Sequence, residues 1–97
     1  MKHHFHLHAE REHIARVNYY ETQRAGLGAK YLDDFDATIT RVCEAPGVLK
    51  LVREPGIRRA PFRVFPCSII YREAAGEVQI LAVSHHRQRP GYWITRL

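Results

Sequence analysis

The stretch Cys67–Trp93, CSIIYREAAGEVQILAVSHHRQRPGYW, decides how this chain folds. Residues 67–73 carry Ile69, Ile70 and Tyr71, types that suit a pleated, half-buried surface. Ala74-Ala75-Gly76 follows as a short turn, with glycine where a positive φ is wanted. Residues 77–84 then alternate. Val78, Ile80 and Ala82 point to one side, and Gln79, Leu81 and Val83 to the other. Apolar residues on both sides predict a central strand covered on each face. The strand empties into His85, His86, Arg87, Gln88 and Arg89. Pro90-Gly91 turns the chain, and Tyr92 and Trp93 follow. A buried strand ending in polar, cationic and aromatic side chains is where function is sought first.

Outward from this stretch, Ile57 to Phe65 reads as another strand, with Arg58, Arg59 and Arg63 among apolar positions. Pro61 implies an edge or a bulge inside it, because proline cannot donate to a ladder. Residues 48–56, VLKLVREPG, begin extended and are broken by Pro55-Gly56. Residues 29–45 form a helix: Leu32, Phe35, Ile39 and Val42 recur at steps of three and four. Pro46-Gly47 ends it. Asp33, Asp34 and Asp36 load its first half, near the positive end of the helix dipole. Adjacent residues point in different directions, so a solvated face is favoured there over a metal site.

Residues 9–24 read as an earlier helix. Glu10 and Glu12 sit in its first turn and Arg24 in its last. Ile14, Val17 and one or both of Tyr19 and Tyr20 form its apolar stripe, with Arg11, Arg16 and Glu21 facing water. Ala25-Gly26-Leu27-Gly28 separates the two helices, with Gly26 left-handed, and so short a loop makes them antiparallel. Residues 3–8, HHFHLH, alternate as a short strand with Phe5 and Leu7 on one face and solvated His4, His6 and His8 on the other. His4 and His6 have no carboxylate or cysteine close in sequence to complete a ligand set. No metal and no cofactor is expected. The order is strand, helix, helix, three strands. The class is α+β, with a helical hairpin packed on one face of a small antiparallel sheet. The first strand joins the sheet edge.

A chain of 97 residues is expected to be one domain, 1–97. A hydrophobic content of 45% argues against disorder. The formal charge is +5, from 15 basic and 10 acidic residues, and favours an acidic partner. Cys43 and Cys67 fit neither a zinc nor a redox spacing, and reduced thiols in a cytoplasmic protein are expected. The sequence holds no apolar run long enough for a signal peptide or membrane span.

Several stretches, taken together and in order, resemble the RelE/ParE superfamily of bacterial toxins. They are Tyr19-Tyr20-Glu21, Gly26-Leu27-Gly28, Arg58-Arg59, Phe62-Arg63-Val64-Phe65-Pro66, Ile69-Ile70-Tyr71-Arg72, Ile80-Leu81-Ala82-Val83, His85 to Arg89, and Pro90-Gly91-Tyr92-Trp93. No single one is specific; their order and spacing carry the likeness over nearly the whole chain. The resemblance implies the compact β-α-α-β-β-β toxin fold, a type II toxin–antitoxin module of the plasmid-stabilisation type, and a cognate antitoxin.

Two activities compete under that resemblance. A RelE-like enzyme cleaves messenger RNA in the ribosome. It needs a base for the 2′-hydroxyl, cations for the phosphorane charge and an acid for the leaving oxygen. His85 and His86 are the candidate acid and base, Arg87 and Arg89 the phosphate clamps, and Tyr92 or Trp93 a stacking platform. A ParE-like inhibitor binds DNA gyrase without catalysis. Then Arg58, Arg59, Arg63, Arg87, Arg89 and Trp93 form a surface for target or antitoxin. The position that aligns with the catalytic arginine of the enzymes is Ser68 here, and the basic residues of the preceding strand are arginines, poor general bases. Together with the Gly26-Leu27-Gly28 loop, these departures favour the ParE-like reading. Against both stands a plainer reading, in which Trp93 caps the core between helices and sheet and Arg58 and Arg59 are edge charges.

Overall fold

The structure, a computed structural model, describes residues 1–97. Strand β1 (His3–Phe5) leads into helices α1 (Leu7–Gln23) and α2 (Leu27–Glu44). Strands β2 (Lys50–Arg53), β3 (Ile57–Pro61), β4 (Cys67–Ala74) and β5 (Glu77–His85) follow, and a 3-10 turn covers Ile94–Arg96. The sheet order is β1-β5-β4-β3-β2. The α+β class, the helical hairpin and the three-strand meander are as the sequence implies. Two details differ. The sheet is mixed, because β1 runs parallel to β5, and it has a further strand, β2.

β2 escapes the pattern because all its residues are exposed. Its strand character comes from pairing with β3, Lys50 opposite Arg59 and Leu51 opposite Arg58. Ala60 and Pro61 extend past β2, so Pro61 lies at an open edge, the location its missing N–H requires. β1 is shorter than the alternation implies. The His6 side chain caps α1 by accepting from the His8 N–H at 3.1 Å, and Leu7 is helical and exposed.

The helices cover one face of the sheet. Tyr31, Phe35, Ile39 and Val42 of α2 pack on Ile69, Tyr71, Val78, Ile80 and Val83. Val17 and Tyr20 of α1 lie against this core, but Ile14 is exposed and Leu32 sits at the rim, 36% exposed. Gly26 takes the left-handed conformation, φ +88°. Gly28 permits the close approach of the hairpin: a Cβ there would stand 3.0 Å from the Val17 carbonyl oxygen. The Glu21 carboxylate accepts the N–H groups of Gly26 and Gly28, closing the start of α2.

The other face has no helix. Ile57, Ile70, Leu81 and Ala82 form a smaller cluster there, covered by Trp93. Trp93 is thus buried, but on the opposite face from the one expected. A bulge explains the assignment of β5. Tyr71 pairs with Ile80 and Ile70 with Ala82, so Leu81 is the extra residue. Beyond it the alternation flips. Val83 joins Val78 and Ile80 under the helices, whereas Ala82 joins Leu81 on the open face.

Candidate functional site

The open face carries a groove of about 540 Å³. One wall comes from β2 and β3 and presents Lys50, Arg53 and Arg59, with Val52 between them. The other comes from the end of β5 and the chain after it, and presents His85, His86, Gln88, Arg89 and Tyr92. Ile70 and Trp93 close the floor. Among the sequence-selected residues, the groove gathers Arg59, His85, His86, Arg89, Tyr92 and Trp93. It does not gather the rest. Arg58 lies on the helix side of β3 and donates to the Leu49 carbonyl at 2.7 Å. Arg63 is exposed on the loop between β3 and β4, and Arg87 is exposed beyond the groove wall.

The groove histidines are internally engaged. The Arg87 N–H donates to His85 Nδ1 at 3.0 Å, which fixes that nitrogen as the acceptor and leaves the proton on Nε2. Burial first, and then the Arg16, Arg87 and His86 charges, lower the His85 pKa below its usual value. His86 Nε2 lies 3.2 Å from the Ser68 hydroxyl, and Ser68 is fully buried. Tyr92 donates its hydroxyl to Glu12 at 2.6 Å. Its pKa is raised by burial and then by that bond and the Glu12 charge. Trp93 is 6% exposed and offers little ring face to a ligand.

Glu12, read from the sequence only as a first-turn charge suited to the helix dipole, is the anchor of this wall. β1 leaves β5 at Ile80, so the Val83 N–H and the Leu81 carbonyl have no strand partner on that edge. Glu12 accepts from Val83 N at 3.1 Å, and Arg96 donates to Leu81 O at 3.0 Å. The two side chains meet at 2.7 Å, both largely buried. Burial alone would lower the Arg96 pKa; the Glu12 bond and charge raise it on balance. Arg16, also expected in water, is half-buried and donates to Gln88 Oε1 at 2.8 Å; Gln88 in turn accepts from the His85 N–H at 2.7 Å. Asp34 is a third correction. It is buried and its carboxylate accepts the N–H groups of Arg63, Val64 and Phe65, fixing the loop that carries Arg63. A charge adjoining two exposed aspartates gave no sign of this; only the tertiary partner reveals it.

No grouping of three or more His, Cys, Asp or Glu side chains could hold a metal ion. Both cysteines are free, and burial pushes the Cys67 thiol up. No helix is long and apolar enough to cross a membrane.

No curated protein matches the chain. Among solved structures, a chain of the chromosomal ParDE toxin–antitoxin system from P. aeruginosa superposes with a TM-score of 0.74. Identity is 19%, covering 88% of this chain and 95% of that one, so the likeness establishes the fold. The ParE toxin family of type II toxin–antitoxin systems, parDE, matches residues 5–90. That match takes in both helices and all five strands but β1's first two residues, and the chain belongs to the ParE toxin family.

Proposed function

We propose that this chain is the cytoplasmic toxin of a type II toxin–antitoxin module, that it acts by binding DNA gyrase, and that a cognate antitoxin neutralises it. Family membership over residues 5–90 supports the toxin role. The related P. aeruginosa chain comes from a ParDE pair, which supports a ParD-like partner here. The observation that favours binding over cleavage is the state of His85. A general base needs a free lone pair. The His85 lone pair accepts the Arg87 N–H, whereas His86 is held to Ser68 through Nε2 only. Tyr92 is committed to Glu12, and the serine at the position of the enzymes' arginine is buried.

Pulse labelling after induction separates the readings. Early arrest of DNA synthesis, with inhibition of supercoiling by purified gyrase, is the expected result. Early arrest of protein synthesis, with messenger RNA cut on purified ribosomes and the cut lost in His85→Ala, would replace it with a ribosome-dependent endonuclease. A neighbouring gene product that fails to bind the chain in titration would remove the antitoxin.

A further inference from the structure

We propose that residues 87–97 form a strap that opens and closes as one unit on an otherwise folded body, and that its opening bares an apolar seat on the helix-free face. The device stands apart from the gyrase reading and does not depend on it. The first observation is how little backbone ties the strap down. The His86 N–H donates to the Pro66 carbonyl at 2.9 Å. Past it, the N–H groups of Gln88, Tyr92, Ile94, Arg96 and Leu97 all donate to carbonyls within residues 85–97. No strand or α-helix forms there, only the 3-10 turn Ile94–Arg96. Of residues 87–97, Trp93 alone is buried. A segment with few buried contacts and self-contained hydrogen bonds opens at lower cost than the core it rests on.

The second observation is that one helix holds both ends of the strap. Arg16 donates to Gln88 Oε1 at 2.8 Å, and the same oxygen accepts the His85 N–H at 2.7 Å. One turn earlier on α1, Glu12 accepts from the Tyr92 hydroxyl and from Arg96. Arg96 also reaches the Leu81 carbonyl, and Glu12 also takes the Val83 N–H. These are side-chain bonds, so they can be released without unravelling the sheet or the hairpin. They share partners, which couples one end of the strap to the other. The third observation is what lies beneath. Trp93 covers Ile57, Ile70, Leu81 and Ala82. When the strap lifts, that cluster meets water and Glu12 no longer screens the Val83 N–H. The seat fits a large aromatic side chain, since it holds one when closed. The strap is therefore an internal competitor: a partner with an aromatic anchor gains the seat only by displacing Trp93.

Native-state hydrogen exchange of the full chain, in urea below the unfolding midpoint, tests whether the strap is a unit. The His85 N–H reports on the Gln88 end and the Val83 N–H on the Arg96 end. Both should exchange through one opening that urea hardly promotes, well ahead of the amides of β4, the strand paired on both sides. Each variant is then read at the end it does not touch. Arg96→Met should speed His85 exchange about tenfold or more, and Gln88→Ala should speed Val83 exchange to a similar degree, as loss of a charge-assisted bond does. Trp93 is the only tryptophan and is 6% exposed, so acrylamide should quench its emission faster in both variants. The dye ANS should bind both variants more than wild type, with far-UV circular dichroism unchanged. Arg72→Gln, whose bond to Gln79 lies outside the strap, should change each readout by no more than about twofold. Effects confined to the mutated end, His85 and Val83 amides that share the urea dependence of β4, an unchanged Trp93, or an equal change in Arg72→Gln would overturn the proposal.

Discussion

The two faces of the sheet are built on different terms. The helix face is closed by apolar contact: Tyr31 stacks on Tyr20 at 5.6 Å between centroids and lies near Phe62 and Phe65, and Phe35 stacks on Phe5 at 5.8 Å. The open face buries Ile57, Ile70, Leu81 and Ala82 under Trp93, with Tyr92 packed alongside, and presents cations around them. Apolar packing is therefore concentrated on one face and unpaired surface charge on the other. Loss of an apolar contact on the first should unfold the chain. Loss of a charge on the second should leave the fold and change what binds. Glu12 is where the faces meet, since it rises from α1 and holds the chain that carries Trp93.

The largest effect should come from the closed face. Phe35→Ala removes a ring that is 4% exposed and should cost about 3–5 kcal/mol. Urea denaturation measures it. Leu32→Ala, three residues away on the same helix and 36% exposed, should cost far less. Equal costs at the two positions would break the contrast. Next comes the seam. Glu12→Ala leaves Arg96 with a buried, unpaired charge and frees the Val83 N–H, and should cost about 3 kcal/mol. Much of that is the penalty of the orphaned arginine. The double variant Glu12→Ala/Arg96→Met should then be no less stable than Glu12→Ala alone. A sum of the two single costs would show that the pair does not act as a unit.

A third effect tests the hairpin beneath the closed face. Gly28→Ala places a methyl 3.0 Å from the Val17 carbonyl oxygen and 3.2 Å from the Glu21 Cβ. Backbone cannot give way as a side-chain tip can, so α1 and α2 must part. The cost should be about 1–3 kcal/mol, against the gain alanine normally brings to a helix. A more stable variant by thermal melt would mean that the contact is looser than the geometry implies.

What could be read from the sequence follows the same division. The strands at 67–73 and 77–84, the α2 stripe and the left-handed Gly26 were legible because period and turn chemistry are local. The bulge at Leu81 was not, and it reversed the faces assigned to Ala82 and Val83, because one inserted residue leaves no mark on composition. β2 was not, since Lys50 to Arg53 alternate in no direction and are strands only by pairing. Half of the groove was therefore visible: the wall of His85 to Tyr92 lies in one stretch, whereas Lys50 and Arg53 reach it through the pairing of β2 with β3. Arg58 and Arg63 were grouped with it by charge alone, and side-chain parity and the Asp34 anchor set them elsewhere. Arg16 and Asp34 read as solvated helix charges, and Glu12 as a charge serving the helix dipole. Their roles depend on backbone groups distant in sequence, which no helical periodicity records.

The smallest effect concerns a histidine within the closed face. His13 lies over Phe35 at 4.1 Å between centroids and over Phe5 at 5.3 Å, and its Nδ1 is 3.1 Å from the Tyr31 hydroxyl. Burial lowers its pKa below 6.5; Asp36 on α2 and Glu10 on α1 pull the other way and do not cancel it. The unfolded chain thus binds this proton more readily than the folded one. The contribution of His13 to stability is complete above the unfolded value and is lost as pH falls through the folded one. Stability should therefore decline as pH drops from 7 toward 5. His85, lowered in the same direction, adds to the trend from the open face. The two can be separated. His13→Phe combined with Tyr31→Phe keeps the rings and leaves no hydroxyl without an acceptor. It should flatten the pH dependence of urea midpoints between 5 and 7 relative to Tyr31→Phe alone. His85→Gln should flatten it by a smaller share, because His85 is the less enclosed of the two, and His6, also lowered chiefly by burial, holds a further part. An unchanged slope in the His13 variant would place the pH sensitivity outside the aromatic core and leave the closed face indifferent to protons.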